Sequence, residues 1–144
     1  QQYNSHSPNR PITSLFPKVV GIVEIGLVSP IVEEIIFRGI MQDFLLTRVP
    51  KYVVKKIAPG KETVFDSTAA KVSRIVLTAA AFSALHLLND GLFDDAYVQA
   101  QIAVTFMIGI GFGILKETRA GILGAISAHV TNNVIALVPS LLKC

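Results

Sequence analysis

Two adjacent carboxylates and an arginine in the middle of a long apolar segment are the residues best placed to do chemistry. Glu33 and Glu34 precede Arg38, and the flanking runs 19–32 and 35–46 hold few other polar groups. Charge at membrane depth is costly and is seldom present without a use. Because residues four apart share a helix face, Glu34 and Arg38 can neutralise each other. Glu33 projects about 100° around the helix, away from any intrahelical cation, so we expect it to be the working group and the Glu34–Arg38 pair its support.

Two later apolar segments carry histidine and asparagine. His86 lies one helical turn after Phe82, and Asn133 lies four residues after His129, so each pair shares a helix face. Taken singly, each of these groups could be structural, because an intramembrane Asn, for example, often joins helices by hydrogen bonds. Together, a Glu, two His and an Asn on three helices form a set suited to proton transfer and oxyanion binding.

Four apolar segments must position these residues, namely about 18–46, 75–88, 97–115 and 120–142. Roughly 20 apolar residues span a bilayer, so the first segment must be tilted, bent or partly outside, and the second is short unless it begins before Arg74. Pro30 removes one backbone hydrogen bond, and a kink there would open space near Glu33. Because no segment alternates like a strand, we predict an all-α, polytopic membrane bundle of about four transmembrane helices.

The composition also favours a membrane protein. Of the 144 residues, 51% are hydrophobic and 16% are charged, and the mean hydropathy is +0.56, whereas about 25% charged residues are usual in soluble domains. The net charge of +3 gives no reason to expect nucleic acid as a partner. We predict that residues 1–17 form an irregular lead-in broken by prolines, and that 18–144 form one helical core in the lipid bilayer.

The charges of the loops predict which side of the membrane they face. The connector 48–74 holds seven basic residues against Glu62 and Asp66, the turn 116–119 is mostly basic, and the loop 89–96 is acidic. In a four-span bundle the two basic loops fall on one side and the acidic loop on the other. The positive-inside rule then places the basic loops in the cytoplasm.

Glycine and proline mark two local features. Gly109, Gly111 and Gly113 lie within the third apolar segment, where no strand precedes them, so they predict close helix packing rather than a dinucleotide-binding loop. The dipeptide Pro59-Gly60 predicts a turn within the basic connector.

The polar patterns resemble the motifs of a known family. Three patterns occur in order, each within an apolar segment: Glu33-Glu34-x-x-x-Arg38, then Phe82-x-x-x-His86, then His129-x-x-x-Asn133. They are similar to those of the CPBP family, also called ABI, which comprises CAAX-prenyl-protease-type and bacteriocin-processing membrane proteins. Each pattern is short, but all three in this order make a fairly specific match, and they cover most of the chain.

The resemblance implies a glutamate-dependent, metalloendopeptidase-like intramembrane endopeptidase that cleaves a membrane-associated protein or peptide. By that analogy, Glu33 and His86 would activate a water molecule, and His129 and Asn133 would form the oxyanion hole. The supporting residues would be Glu34, Arg38 and Phe82. Prenylated CAAX proteins, bacteriocin leader peptides and other membrane peptides all remain open as substrates.

Two alternatives stay beside this interpretation. We expect no cofactor, but Glu and His are also zinc ligands, so a zinc-dependent protease is a lower-ranked alternative; the sequence lacks a local two-His ligand motif. The other alternative is a non-catalytic protein, either an immunity or scaffold member of the same family or a proton-coupled transporter. In that case the polar residues would bind a partner or relay protons.

Overall fold

The chain is helical wherever its structure is described. The computed structural model describes residues 12–90 and 96–142, with side chains for 17–86 and 98–139, and it contains no strand in those ranges. Helices α1 to α6 are Ile12–Val23, Ser29–Glu34, Val49–Ile57, Thr68–Asp90, Ala96–Glu117 and Gly121–Leu142. Two wider π-helical segments, π1 at Glu24–Val28 and π2 at Ile35–Arg48, connect α1, α2 and α3, and a short 3₁₀ turn covers Glu62–Asp66. The predicted all-α class is confirmed.

Within the described residues, three helices are long and apolar enough to cross a membrane. Their apolar stretches are Thr68–His86, Val98–Glu117 and Gly121–Pro139. The predicted first span, 18–46, is helical throughout, but it alternates between α and π geometry and is not one uninterrupted α-helix. The expected bundle of membrane helices is therefore present, with three continuous candidate spans beside a first segment made of shorter pieces.

The bounds of the second span explain why it looked short in the sequence. Helix α4 begins at Thr68 instead of Ile75, because the Ser67 hydroxyl caps it by accepting a hydrogen bond from the Ala70 N–H at 3.2 Å. Arg74 is consequently inside the helix, although we had assigned it to the connector. The third and fourth helices begin within one residue of their predicted starts.

The segments at the two ends of the first span also differ from expectation. Helix α1 begins at Ile12 and contains Pro17, so the end of the predicted irregular lead-in is helical; one proline removes a single hydrogen bond but does not end this helix. After the first span, residues 49–57 of the basic connector form α3. The predicted turn is confirmed, because Gly60 has a φ of 89°. Most of the predicted acidic loop lies outside the described residues.

Helices α4 and α5 pack closely through two of the three glycines. A Cβ atom on Gly109 would lie 3.2 Å from Ala79 Cβ, and one on Gly113 would lie 3.0 Å from Ile75 Cγ2. Gly111 faces away, with open space around it. The prediction of a small-residue packing surface therefore holds for Gly109 and Gly113, which are four residues apart, and is wrong for Gly111.

The interior of the bundle is more polar than its surface. The largest fully buried side chains include Arg38, Gln42 and Glu34, while Leu123 is 71% exposed and most other large apolar side chains also face outward. This distribution inverts that of a water-soluble domain and fits a lipid surrounding, in which polar groups gain by meeting one another inside the bundle.

Candidate active site

One cavity inside the bundle gathers the polar residues from three separate segments. It has a volume of about 240 Å³. Its lining consists of Ile25, Ser29, Glu33, Phe82, His86, Thr105, Ile108, His129, Asn132 and Asn133. The four residues predicted to be catalytic all face this space, although almost 100 residues separate the first from the last. Their individual chemical roles remain predictions.

The two adjacent glutamates have different surroundings. The Glu33 side chain is 34% exposed, and its Oε2 lies 3.7 Å from His129 Nε2. The Glu34 side chain is completely buried, and its Oε2 lies 3.2 Å from Arg38 Nε. The predicted ion pair between Glu34 and Arg38 is therefore present, and Glu33 is the carboxylate that remains accessible in the cavity.

Glu34 has a second partner that sequence spacing did not indicate. Its Oε1 lies 2.9 Å from His129 Nδ1. A carboxylate engaged by Arg38 can only accept a hydrogen bond, so Nδ1 carries the hydrogen in this contact. The opposite nitrogen, Nε2, then faces Glu33. Glu34 thus fixes both the orientation of the His129 ring and the nitrogen that it presents to the cavity.

Arg38 is enclosed by aromatic rings as well as by Glu34. Its guanidinium carbon lies 5.0 Å from the centre of the Phe82 ring and 5.5 Å from that of Phe112, distances typical of cation–π contacts. One terminal nitrogen donates to the Gly109 carbonyl at 2.8 Å. Arg38 therefore joins the first segment to α4 and α5, and these partners offset part of the cost of burying its charge.

Phe112 also fixes the histidine of the site. Its ring stacks on the His129 ring, with 4.7 Å between centres and 27° between planes, and the Phe82 ring meets His129 edge-on at 5.6 Å. The sequence reasoning named Phe82 through its motif but missed Phe112, which follows Gly111 in a glycine-rich apolar run and looks like ordinary packing.

The spacing of Phe82 and His86 orients the second histidine. His86 Nδ1 lies 2.9 Å from the Phe82 carbonyl oxygen, one helical turn earlier. A carbonyl only accepts, so Nδ1–H is the donor, and in the neutral ring the lone pair is on Nε2. His86 is therefore held as an acceptor of a proton or hydrogen bond on the side away from its own helix.

Asn133 is held on two sides. Its Nδ2 donates to the Ile25 carbonyl at 3.0 Å, and its Oδ1 accepts from Asn132 Nδ2 at 3.3 Å. These two contacts distinguish the oxygen of the amide from its nitrogen. The second N–H of Asn133 is then available as a donor to a molecule in the cavity.

Two further polar residues of the lining were not assigned a role from the sequence. The Thr105 hydroxyl donates a hydrogen bond to the Gln101 carbonyl at 2.8 Å. The Asn132 side-chain amide donates to Asn133 Oδ1. Adjacent asparagines in an apolar segment were the available signal for Asn132. Glu24 is exposed and lies outside the cavity lining.

A second polar cluster, which we call the Arg74 cluster, consists of Gln42, Arg74 and Glu117. Arg74 donates from Nε to Glu117 Oε1 at 2.8 Å, from a second nitrogen to Glu117 Oε2, and from the third to the Phe65 carbonyl at 2.7 Å. Gln42 Nε2 donates to the same Glu117 carboxylate at 2.9 Å. All three nitrogens of Arg74 are therefore engaged, and the cluster lines none of the described cavities.

Comparison with known proteins assigns the chain to a family. The family model described as type II CAAX prenyl endopeptidase Rce1-like matches residues 15–135. The chain therefore belongs to this family of membrane endopeptidases, as the resemblance of its motifs predicted. Searches of curated proteins and of solved structures gave no significant match. Among the described residues, no three His, Cys, Asp or Glu side chains are grouped as metal ligands.

Proposed function

We propose that this protein is an intramembrane endopeptidase that cleaves a membrane-associated protein or peptide, of the CAAX or leader-peptide type. The observation that carries the proposal is the convergence of Glu33, His86, His129 and Asn133 on one cavity inside the bundle. This set combines bases with hydrogen-bond donors, which peptide hydrolysis requires. The basic loops face the cytoplasm in this proposal, as the positive-inside rule predicts.

Glu33 and His86 activate the attacking water. Glu33 presents an accessible carboxylate, while His86 is held with its Nε2 lone pair free. The water oxygen forms a bond to the scissile carbonyl carbon as one of its protons passes to this pair. When the tetrahedral intermediate collapses, the carbon–nitrogen bond breaks and the same proton passes to the departing amine.

His129 and Asn133 stabilise the oxyanion that forms on the carbonyl oxygen. Asn133 has one N–H left over from its bond to Ile25. His129 already donates from Nδ1 to Glu34, so it donates from Nε2 only as an imidazolium. Each donor of this kind contributes roughly 3–4 kcal/mol to the transition state.

The experiment compares new protein N-termini in membranes from cells that express the wild type, Glu33→Gln or no protein, at matched abundance. Loss of a general base slows hydrolysis by about 10²–10⁴-fold, so we expect termini that appear with wild type and disappear with Glu33→Gln. Glu24→Gln is the matched control, because Glu24 is exposed outside the cavity. Identical termini from wild type and a folded Glu33→Gln protein would contradict the proposal and favour a scaffold or proton-relay role.

Treatment with a chelator distinguishes the proposed side-chain mechanism from the zinc-dependent alternative. We expect cleavage by purified protein to continue after incubation with a strong chelator, since the chemistry above uses only side chains and water. Loss of cleavage that added zinc restores would instead assign the activated water to a metal.

A further inference from the structure

Pro30 lies at an unusual point of the first segment, immediately after the π1 turn. It is the second residue of α2, and its side chain is among the most completely buried in the described residues. The ring does not line the cavity, although its neighbour Ser29 does. Its effect on the site must therefore pass through the backbone.

The backbone hydrogen bonds around π1 leave one carbonyl without its helical partner. The Ser29 N–H donates to the Glu24 carbonyl, five residues back, instead of to Ile25, four residues back. In this wider register the Ile25 carbonyl would accept from residue 30. Residue 30 is proline, which has no N–H. The Ile25 carbonyl oxygen therefore receives no hydrogen bond from the Ser29 N–H, and Pro30 has no N–H to donate.

A backbone carbonyl of a membrane segment that lacks its helical donor is stabilised by any other donor within reach. The Asn133 side chain supplies the missing donor, with Nδ2 at 3.0 Å from the Ile25 oxygen. Ile25 and Asn133 both line the cavity, so this bond lies at the wall of the site. It connects the first segment to α6 at the residue that we assign to the oxyanion hole.

We propose that Pro30 is a positioning residue for Asn133: by lacking a backbone N–H, it leaves the Ile25 carbonyl free to bind and orient the Asn133 amide. One N–H of the amide is held by Ile25, and the other is thereby directed to a bound substrate. The catalytic consequence rests on the proposed function, but the orientation of the amide does not.

The decisive variants separate the missing N–H from the shape of the proline ring. Pro30→Ala restores an N–H that competes for the Ile25 carbonyl, so we expect kcat to fall by about 10-fold or more, toward the value for Asn133→Ala, with little change in KM. The ester analogue of alanine at position 30 (an α-hydroxy acid introduced by nonsense suppression) lacks both the ring and the N–H, and we expect it to retain near wild-type kcat. Pro50→Ala, at the start of α3 away from the cavity, is the matched control and should leave kcat unchanged.

A spectroscopic readout tests the positioning without relying on activity. The sequence contains five asparagines, so selective ¹⁵N labelling gives few side-chain amide signals, and Asn133→Ala identifies that of residue 133. We expect Pro30→Ala to shift this signal and the ester analogue to leave it near its wild-type position.

The two readouts distinguish failure of the inference from failure of the proposed function. An Asn133 signal unchanged in Pro30→Ala, or equally shifted in the ester analogue, would overturn the positioning role. A signal that shifts as expected while both Pro30→Ala and Asn133→Ala keep full activity would support the positioning and contradict the oxyanion role of Asn133. If Pro30→Ala and Asn133→Ala lower kcat independently, so that their losses multiply in the double variant, Pro30 does not act through Asn133.

Discussion

Two clusters of polar groups each join three segments of the chain, but they differ in how many of their donors and acceptors remain unpaired. In the Arg74 cluster, one carboxylate receives two hydrogen bonds from Arg74 and one from Gln42, and Arg74 has no nitrogen to spare. In the cavity, Glu33 is one-third exposed and 3.7 Å from its nearest cation-forming neighbour. The Asn133 amide retains one N–H that can donate to a bound molecule, and Nε2 of the neutral His86 ring retains a lone pair that can accept.

The difference shows how a membrane protein can separate stability from reactivity. In the Arg74 cluster the charged groups all pair with one another and only Gln42 Oε1 is left without a hydrogen bond, so its main effect is to hold helices together. A cluster that keeps donors and acceptors unpaired around a cavity is less stable than it could be, but these groups can act on a bound molecule. Glu34 lies between the two types, since it is fully buried and also orients His129.

Glu34→Gln should have the largest effect on stability and activity, because Glu34 both compensates the charge of Arg38 and orients His129. Removing this charge leaves Arg38 uncompensated in the interior, which we expect to lower the free energy of unfolding by about 3–5 kcal/mol. The same change alters the hydrogen bond to His129 and should also lower kcat. Thermal unfolding in lipid nanodiscs measures the first effect, and an unchanged midpoint would show that the pair contributes little.

Asn133→Ala should separate reactivity from stability. We expect kcat to fall by about 10²–10³-fold, as for removal of one oxyanion donor, while the midpoint of thermal unfolding changes far less than in Glu34→Gln. Cleavage of a reconstituted peptide substrate, followed under single-turnover conditions, measures the loss. Undiminished cleavage by the folded variant would remove Asn133 from the oxyanion hole.

Glu117→Gln should lower stability and leave activity unchanged, the opposite of what we expect for Asn133→Ala. It replaces the charged acceptor of the Arg74 cluster with a neutral one, and we expect a loss of about 2 kcal/mol in the free energy of unfolding. Activity per folded molecule should be retained, because the cluster does not reach the cavity. A double-mutant cycle with Arg74→Gln checks the pairing, and a coupling free energy near zero would contradict it.

The glycines of α5 provide the smallest and best matched comparison. Gly109→Ala places a Cβ atom 3.3 Å from the Ala79 Cα and from the Phe82 ring, so we expect a loss of about 1–2 kcal/mol in the free energy of unfolding. Gly111→Ala meets open space and should stabilise the helix by about 0.5–1 kcal/mol. Equal effects from the two substitutions would show that α4 and α5 are not in close contact at Gly109.

The sequence by itself was sufficient for the class of fold and for the four candidate catalytic residues that face the cavity. Apolar segments longer than about 18 residues, with few charges, indicate membrane helices because the bilayer fixes both length and composition. The four-residue spacings placed Glu34 beside Arg38 and His86 near Phe82, since these contacts lie within one helix. Contacts of this kind can be predicted from the spacing of residues along one helix.

The tertiary structure alone decided the contacts that define how the site is held. The hydrogen bond from His129 to Glu34, the stacking of Phe112 and the pairing of Arg74 with Glu117 each join residues that are far apart in the chain. The same is true of Asn133, whose acceptor depends on a register change and a proline in another helix. Which faces meet depends on the packing and rotation of whole helices, a property of the bundle that no spacing within one segment encodes.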